Sequence, residues 1–230
     1  MTANNTMNPK QRVASHVANL VEADMVVGLG TGSTANFFID ALAKRHRSEK
    51  LNVMTVSSSV VSAVKAKEAG LPVVSIESLD GLDMYVDGAD EVTRDLTLLK
   101  GRGQDLVREK LLAAAADQFY VLVDESKLVD HIGQKFPIPV EVLPDAWQLV
   151  LSQLKYQGGQ GQLRMNAAGD NVAVTAHGSL VLDMTFDRMD SLELTMILDT
   201  VAGIVEHGIF SELATAVFIG AEAEVEEHWR

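Results

Sequence analysis

Five short polar stretches in this chain of 230 residues hold side chains whose types and spacing could do chemistry. Asp87-Gly88-Ala89-Asp90-Glu91 sets three carboxylates within five residues. The small residues between the aspartates would let both side chains converge on one small ligand, and the same cluster also fits a solvated acidic loop or a magnesium site. Lys100-Gly101-Arg102-Gly103 leads into Arg108-Glu109-Lys110. A glutamate in the first turns of a helix, flanked by cations, is drawn toward its ionised form; Arg108 and Lys110 fit a paired surface helix equally well.

Gly28-Leu29-Gly30-Thr31-Gly32-Ser33-Thr34 is the third stretch. Glycines after a strand let the backbone approach a ligand closely, and N–H groups at a helix start favour an anion. A tight turn with an N-cap explains the same residues. The stretch is not a dinucleotide fingerprint, which needs glycine at Ser33, nor a P-loop, which ends in Gly-Lys-Ser/Thr. Ser57-Ser58-Ser59 repeats the pattern more weakly and reads first as an N-cap with spare serines. Asp124-Glu125-Ser126-Lys127 offers one more ammonium after an apolar run.

These stretches must be positioned by the elements between them. Asn8-Pro9 is an N-cap followed by proline at the first helical position, opening a helix to about Glu22. Short apolar runs at 25–29, 51–56, 72–76, 82–86 and 119–123 read as buried parallel strands. Helices are expected at 35–43, 63–69 and 106–116. Strand, loop and helix in repetition predict an α/β fold: an open, mostly parallel sheet with helices on both faces. All five polar stretches would then follow strands of that one sheet. Three of the five prolines lie between 137 and 144, which marks a boundary. Beyond it a helix (145–156), a turn at Gly158-Gly159, a hairpin over 172–184 containing Thr175, and a helix (192–201) make a smaller α+β domain. The run 214–220 is a last strand rejoining the first sheet, before an acidic tail at 222–230. The expected domains are thus 1–133 with 211–230, and 134–210.

Composition narrows the classes. With 19 basic and 32 acidic residues the net charge is −13, which repels nucleic acid and anionic lipid. A phosphate site must be built locally, from backbone N–H groups and a few lysines. The absence of cysteine excludes disulfides, thiolate catalysis and cysteine metal sites. The histidines at 16, 46, 131, 177, 207 and 228 show no metal-binding spacing. Residues 1–10 are polar, with no apolar segment of a signal peptide. A cytoplasmic protein that binds neither membrane nor nucleic acid is expected.

In order along the chain, GLGTGST (28–34), TVSSS (55–59), YVDGADEV (85–92), LLKGRG (98–103), REKLLA (108–113), DESKLVD (124–130), FPIPVEVLP (136–144) and GIVEHGIF (203–210) resemble the type A ribose-5-phosphate isomerases. The resemblance implies an aldose–ketose isomerase that interconverts D-ribose 5-phosphate and D-ribulose 5-phosphate through an enediolate, in the non-oxidative pentose phosphate pathway. It implies Glu109 as general base, with Lys100, Asp87 and Asp90 as its catalytic companions. Lys10, Thr31, Gly32, Ser33, Thr34, Ser57, Gly88, Ala89, Gly101, Arg102, Gly103 and Lys127 are the implied substrate-binding residues. No cofactor and no metal are expected; the partners are a small sugar phosphate and further copies of the chain, as a homodimer or homotetramer with its interface on the small domain. Two other readings come with related folds: a non-catalytic sugar-phosphate sensor, and a CoA-transferase-like enzyme with a glutamate nucleophile. Arg102 departs from the family, which usually has glycine there. Its guanidinium could turn inward, to phosphate or to Asp87 or Asp90, or outward into solvent. Thr31, Ser33 and Lys10 already supply donors, which favours outward.

Overall fold

The computed structural model describes residues 8–187, 189–221 and 224–230. The polar segment before Asn8 lies outside them. In chain order the elements are α1 (Pro9–Ala18), β1 (Val26–Leu29), α2 (Ser33–Ser48), β2 (Met54–Ser57), α3 (Val60–Glu68), β3 (Leu82–Asp87), β4 (Glu91–Val92), β5 (Leu98–Leu99), α4 (Leu106–Ala115), β6 (Ala116–Asp124), β7 (Ile138–Val142), α5 (Trp147–Tyr156), β8 (Gly159–Leu163), β9 (Leu180–Phe186), α6 (Ser191–Thr200), β10 (Ile204–His207), β11 (Ile209–Phe210), β12 (Ala216–Gly220) and β13 (Val225–Trp229). They form two compact units, one of residues 1–89, 112–127 and 214–230, the other of 90–111 and 128–213. The second unit thus takes in the segment around Lys100 and begins well before the prolines at 137–144.

The first unit is built on a six-stranded sheet in the order β13-β12-β6-β3-β1-β2. β2, β1, β3, β6 and β12 are mutually parallel, and β13 closes the edge antiparallel to β12. Every residue of β12 is buried, as are Phe119–Val123 of β6. Strands covered on both faces need such unbroken apolar runs. α1 starts as its sequence demands, with Asn8 Oδ1 accepting the Lys10 N–H at 3.0 Å. Val13, Val17, Phe38, Ile39 and Leu42 from α1 and α2 join Val27, Leu29, Val86 and Phe218 in one apolar core.

The second unit has a four-stranded sheet, β10-β7-β9-β8, antiparallel throughout. Val150 and Leu154 of α5, with Leu194 and Leu198 of α6, pack into a core with Val140, Val142, Leu182 and Met184. A second, three-stranded sheet joins β11, β5 and β4.

Four expectations need correction. Residues 72–76 make a single parallel bridge, Val73 to Thr55, in place of a strand. The hairpin arms are β8 and β9, so 172–184 supplies only one arm, and a lone bridge joins Val174 to Leu180. The proline segment is itself the inner strand β7. Pro139 is tolerated because the ladder to β10 begins only at Val140, and Pro139 contributes only its carbonyl, to the Gly208 N–H at 2.8 Å. The tail at 225–229 is the edge strand β13; Glu222 lies outside the described residues.

Candidate active site

In the first unit the polar loops after β1, β2, β3 and β6 follow the carboxyl ends of parallel strands. The order β2-β1-β3 makes β1 and β3 the point where the winding reverses, the place where open α/β sheets take their ligands. The loop after β1 is held against the end of β3. Gly30 N–H donates to the Val86 carbonyl at 2.9 Å, and Thr31 N–H to Asp87 Oδ1 at 3.1 Å. A Cβ at position 30 would overlap the Asp87 carboxyl, so only glycine permits this approach. Asp87 also accepts from Gly88 N–H at 2.7 Å and from the Tyr85 hydroxyl at 2.6 Å. These bonds to a carboxylate that is only 1% exposed satisfy the buried charge.

Thr31 Oγ1 meets the hydroxyls of Ser59 (2.7 Å), Ser58 (3.2 Å) and Ser62 (3.2 Å). Ser59 is also the N-cap of α3, accepting the Ser62 N–H at 3.2 Å. The serine stretch thus caps a helix and also fastens the glycine loop to β2. Ser57 Oγ turns back to the Ser59 carbonyl at 2.9 Å. Lys10 Nζ reaches Ser33 Oγ at 3.2 Å, which brings an ammonium to the first residue of α2. That helix N-terminus carries partial positive charge and unpaired N–H groups. Lys127 lies in the turn just past β6.

In the second unit Lys100 follows β5 of the three-stranded sheet, not a strand of the parallel one as its spacing predicts. Lys100 Nζ stands 3.2 Å from Glu109 Oε2, and both side chains are almost fully buried. Glu109 lies in the first turn of α4. An ion pair removed from water needs such proximity to offset desolvation. The Lys100 N–H donates to the Gly208 carbonyl at 2.8 Å, and a Cβ on Gly208 would overlap the Lys100 carbonyl oxygen. Phe210 places its ring 5.7 Å from Lys100 Nζ and 5.1 Å from Lys110 Nζ. Lys110 pairs with Glu206 at 2.5 Å, and burial pulls its pKa down.

Asp90 is tied to β5 by its N–H on the Leu99 carbonyl at 2.8 Å. Arg102 takes a position between the two expected ones. Its guanidinium lies 4.1 Å from the centre of the Phe136 ring and 3.8 Å from Asp90 Oδ1, with the side chain about half exposed (52%). Glu91, third of the clustered carboxylates, accepts the N–H groups of Gly133, Lys135 and Phe136 at 2.6–2.8 Å and holds that turn. Among the described residues no group of three histidine, aspartate or glutamate side chains could hold a metal ion. No helix among them is long and apolar enough to cross a membrane.

Several functional neighbours carry no local signal in the sequence. Tyr85 and Ser62 are found only through the fold, and so is Phe136, 34 positions beyond the arginine it supports. Arg164 and Asp183 face each other across β8 and β9.

A parallel sheet with anion-ready loops at its carboxyl edge and a buried lysine–glutamate pair define an α/β enzyme equipped for acid–base work. The profile of Ribose 5-phosphate isomerase A (phosphoriboisomerase A) matches residues 54–224. Ribose-5-phosphate isomerase A of Thermococcus kodakarensis is 43% identical over 94% of this chain and 95% of its own; that of Thermosynechococcus vestitus is 44% identical over 92% and 90%. The structure of ribose 5-phosphate isomerase A from Methanocaldococcus jannaschii superposes with a TM-score of 0.92 at 37% identity, covering 96% of this chain and 98% of that one. A D-ribose-5-phosphate isomerase in complex with phospho-erythronic acid gives 0.93 at 38%, covering 97% and 100%. The DeoR C terminal sensor domain profile matches residues 5–77 only. The chain belongs to the ribose 5-phosphate isomerase A family.

Proposed function

We propose that the chain interconverts D-ribose 5-phosphate and D-ribulose 5-phosphate through an enediolate. The observation that carries this reading is the buried Lys100–Glu109 pair at 3.2 Å in a member of this family. The reaction removes a proton from C2 and delivers one to C1, and one carboxylate set between the two carbons can do both. Glu109 is that base. Negative charge that develops on O1 and O2 needs a donor fixed in advance, and Lys100 supplies it. Asp90, 21% exposed, is open to a sugar hydroxyl and to proton movement as the furanose ring opens. Asp87 serves the same end of the sugar, and it holds the glycine loop through the Thr31 N–H. Thr31, Gly32, Ser33, Thr34 and Lys10 offer hydroxyls, helix-start N–H groups and an ammonium to the phosphate. Ser57, Gly88, Ala89, Gly101, Arg102, Gly103 and Lys127 complete the binding set, with no metal or cofactor in the step.

Phospho-erythronic acid, present in the solved relative, supports the same chemistry. Its carboxylate offers two oxygens on one carbon, close in charge and shape to an enediolate. The sensor reading draws on the match over 5–77. Those residues end before Asp87, Lys100 and Glu109, and a pure binder has no use for a buried acid–base pair. Turnover of purified, EDTA-treated protein decides between them: the reading expects ribose 5-phosphate to react fastest among aldose phosphates, without CoA. Binding without turnover would favour the sensor, and acyl-CoA trapped on Glu109 the CoA-transferase-like enzyme.

A cytoplasmic setting belongs to this proposal, since an ionised sugar phosphate does not cross a bilayer unaided. So does assembly into a homodimer or homotetramer. Leu149 and Tyr156 of α5, with Leu192 and Met196 of α6, are exposed and offer apolar surface on the second unit. Sedimentation as a monomer at micromolar concentration would remove that part.

A further inference from the structure

Arg164 follows β8 in the second unit, with its side chain largely buried (14% exposed). Its guanidinium forks. Nε and Nη2 grip Asp183 on β9, at 3.0 Å to Oδ2 and 2.5 Å to Oδ1. Nη1 reaches the carbonyls of Gly101 (2.9 Å), Arg102 (3.2 Å) and Gly103 (2.8 Å). The next carbonyl, of Gln104, accepts the Ala176 N–H at 3.2 Å, and that of Asp105 accepts the Glu109 N–H at 2.9 Å. Five successive carbonyls of the lysine–glycine loop are thus committed to protein donors.

The opposite edge of the loop is different. The N–H groups of Arg102, Gly103 and Gln104 donate to no acceptor among the described residues. In a planar trans peptide the C=O of one residue and the N–H of the next point in opposite directions. Gathering the carbonyls on one guanidinium therefore turns these N–H groups together to the other edge of the loop. They run directly into the N-terminus of α4, whose first N–H groups carry partial positive charge.

We propose that Arg164 is a positioning residue for the isomerisation. By collecting the carbonyls of 101–103 it aims the N–H groups of the loop at the oxyanion that develops while Glu109 holds the proton. This rests on the isomerase reading and adds to it a residue remote from the reacting atoms. A lysine could not replace it, because only a planar guanidinium can hold a carboxylate with one edge and a row of carbonyls with another nitrogen.

The test uses the full chain, treated with EDTA, as Arg164→Lys and Arg164→Gly, with melting temperature as the check on folding. Loss of oriented donors to a developing oxyanion typically costs about 10²-fold in kcat. Arg164→Lys should therefore fold, lose about 10²-fold in kcat on ribose 5-phosphate, and keep KM within about threefold. Phospho-erythronic acid should bind it more weakly by a factor comparable to the fall in kcat. Methylguanidinium added to Arg164→Gly should restore at least about tenfold of the lost rate. A folded Arg164→Lys with kcat within threefold of wild type overturns the proposal. So does a rise in KM with kcat unchanged, or a loss in folded Arg164→Gly that methylguanidinium leaves untouched. If wild-type protein binds phospho-erythronic acid but does not turn over ribose 5-phosphate, the isomerase reading fails. The ratio of wild-type to Arg164→Lys affinity for that acid then still decides the role of Arg164. Binding by neither protein overturns both.

Discussion

Asp87 in the first unit and Glu109 in the second are both buried carboxylates, yet they are held in opposite ways. Asp87 accepts the N–H groups of Thr31 and Gly88 and the hydroxyl of Tyr85. Glu109 faces the ammonium of Lys100. A carboxylate engaged by the backbone fixes the shape of a loop, whereas one set against an ammonium in a dry setting can exchange protons. The same contrast runs through the two units. Neutral dipoles and hydroxyls gather around Thr31, and formal charges around Lys100. The proposed roles follow the same line, with phosphate binding at the glycine loop and Lys10 and proton transfer at Glu109, a division that kinetics can break.

The largest effect is expected at Glu109. Glu109→Gln should keep its fold and lose roughly 10² to 10⁴ in kcat, the usual cost of removing a positioned base. A near-normal kcat would take Glu109 out of the mechanism. Lys10→Ala sharpens the division from the other side. A charged contact to phosphate contributes roughly 1.5–3 kcal/mol, so KM for ribose 5-phosphate should rise about tenfold or more while kcat changes by less than about threefold. A fall in kcat comparable to that of Glu109→Gln would erase the distinction between the two regions.

Arg102 should matter less. It lies on Phe136, half exposed and 3.8 Å from Asp90, and such a pair contributes roughly 0–1 kcal/mol. Arg102→Gly should change kcat/KM for ribose 5-phosphate by less than about tenfold; a larger fall, or a changed preference among sugar phosphates, would place the guanidinium on the substrate.

The smallest effect concerns Glu141, a third buried carboxylate, whose contacts are structural. Thr175 donates to its Oε1 at 2.8 Å. Burial raises its pKa, opposed by Thr175, Ser179 and His177 and reinforced by Glu206. The folded state therefore holds this proton more tightly than the unfolded chain. The associated stability is complete below the ordinary glutamate value of about 4.3 and is lost as pH rises through the folded value. Glu141→Gln should remove that loss, so the melting temperature of wild type relative to the variant should fall between about pH 4 and neutrality. A difference that is constant with pH would show that Glu141 does not titrate in this range.

Much of this is legible in the sequence. The glycine loop, the serines and Asp87 stand out because each follows an apolar run that ends in small polar residues, and the sheet places those ends together. The setting of Lys100 was not legible. β4, β5 and β11 are two residues each, too short to show any period, and β11 pairs with β5 across more than a hundred positions. β7 was hidden by Pro139, which argues against an inner strand unless the partner ladder is known to begin one residue later. Arg164 and Asp183 meet only because β8 and β9 are neighbours, and nothing near either residue announces a ligand.

The most direct test runs the EDTA-treated wild-type enzyme on ribose 5-phosphate in deuterated water and reads C1 of the ketose by proton NMR. A carboxylate that carries the proton between C2 and C1 exchanges part of it with solvent. The prediction is D-ribulose 5-phosphate with deuterium at C1, formed at the rate seen without chelator. Ketose that keeps the C2 hydrogen entirely, in a reaction that stops on chelation and resumes with added metal, would indicate a metal-held hydride shift and contradict the role given to Glu109.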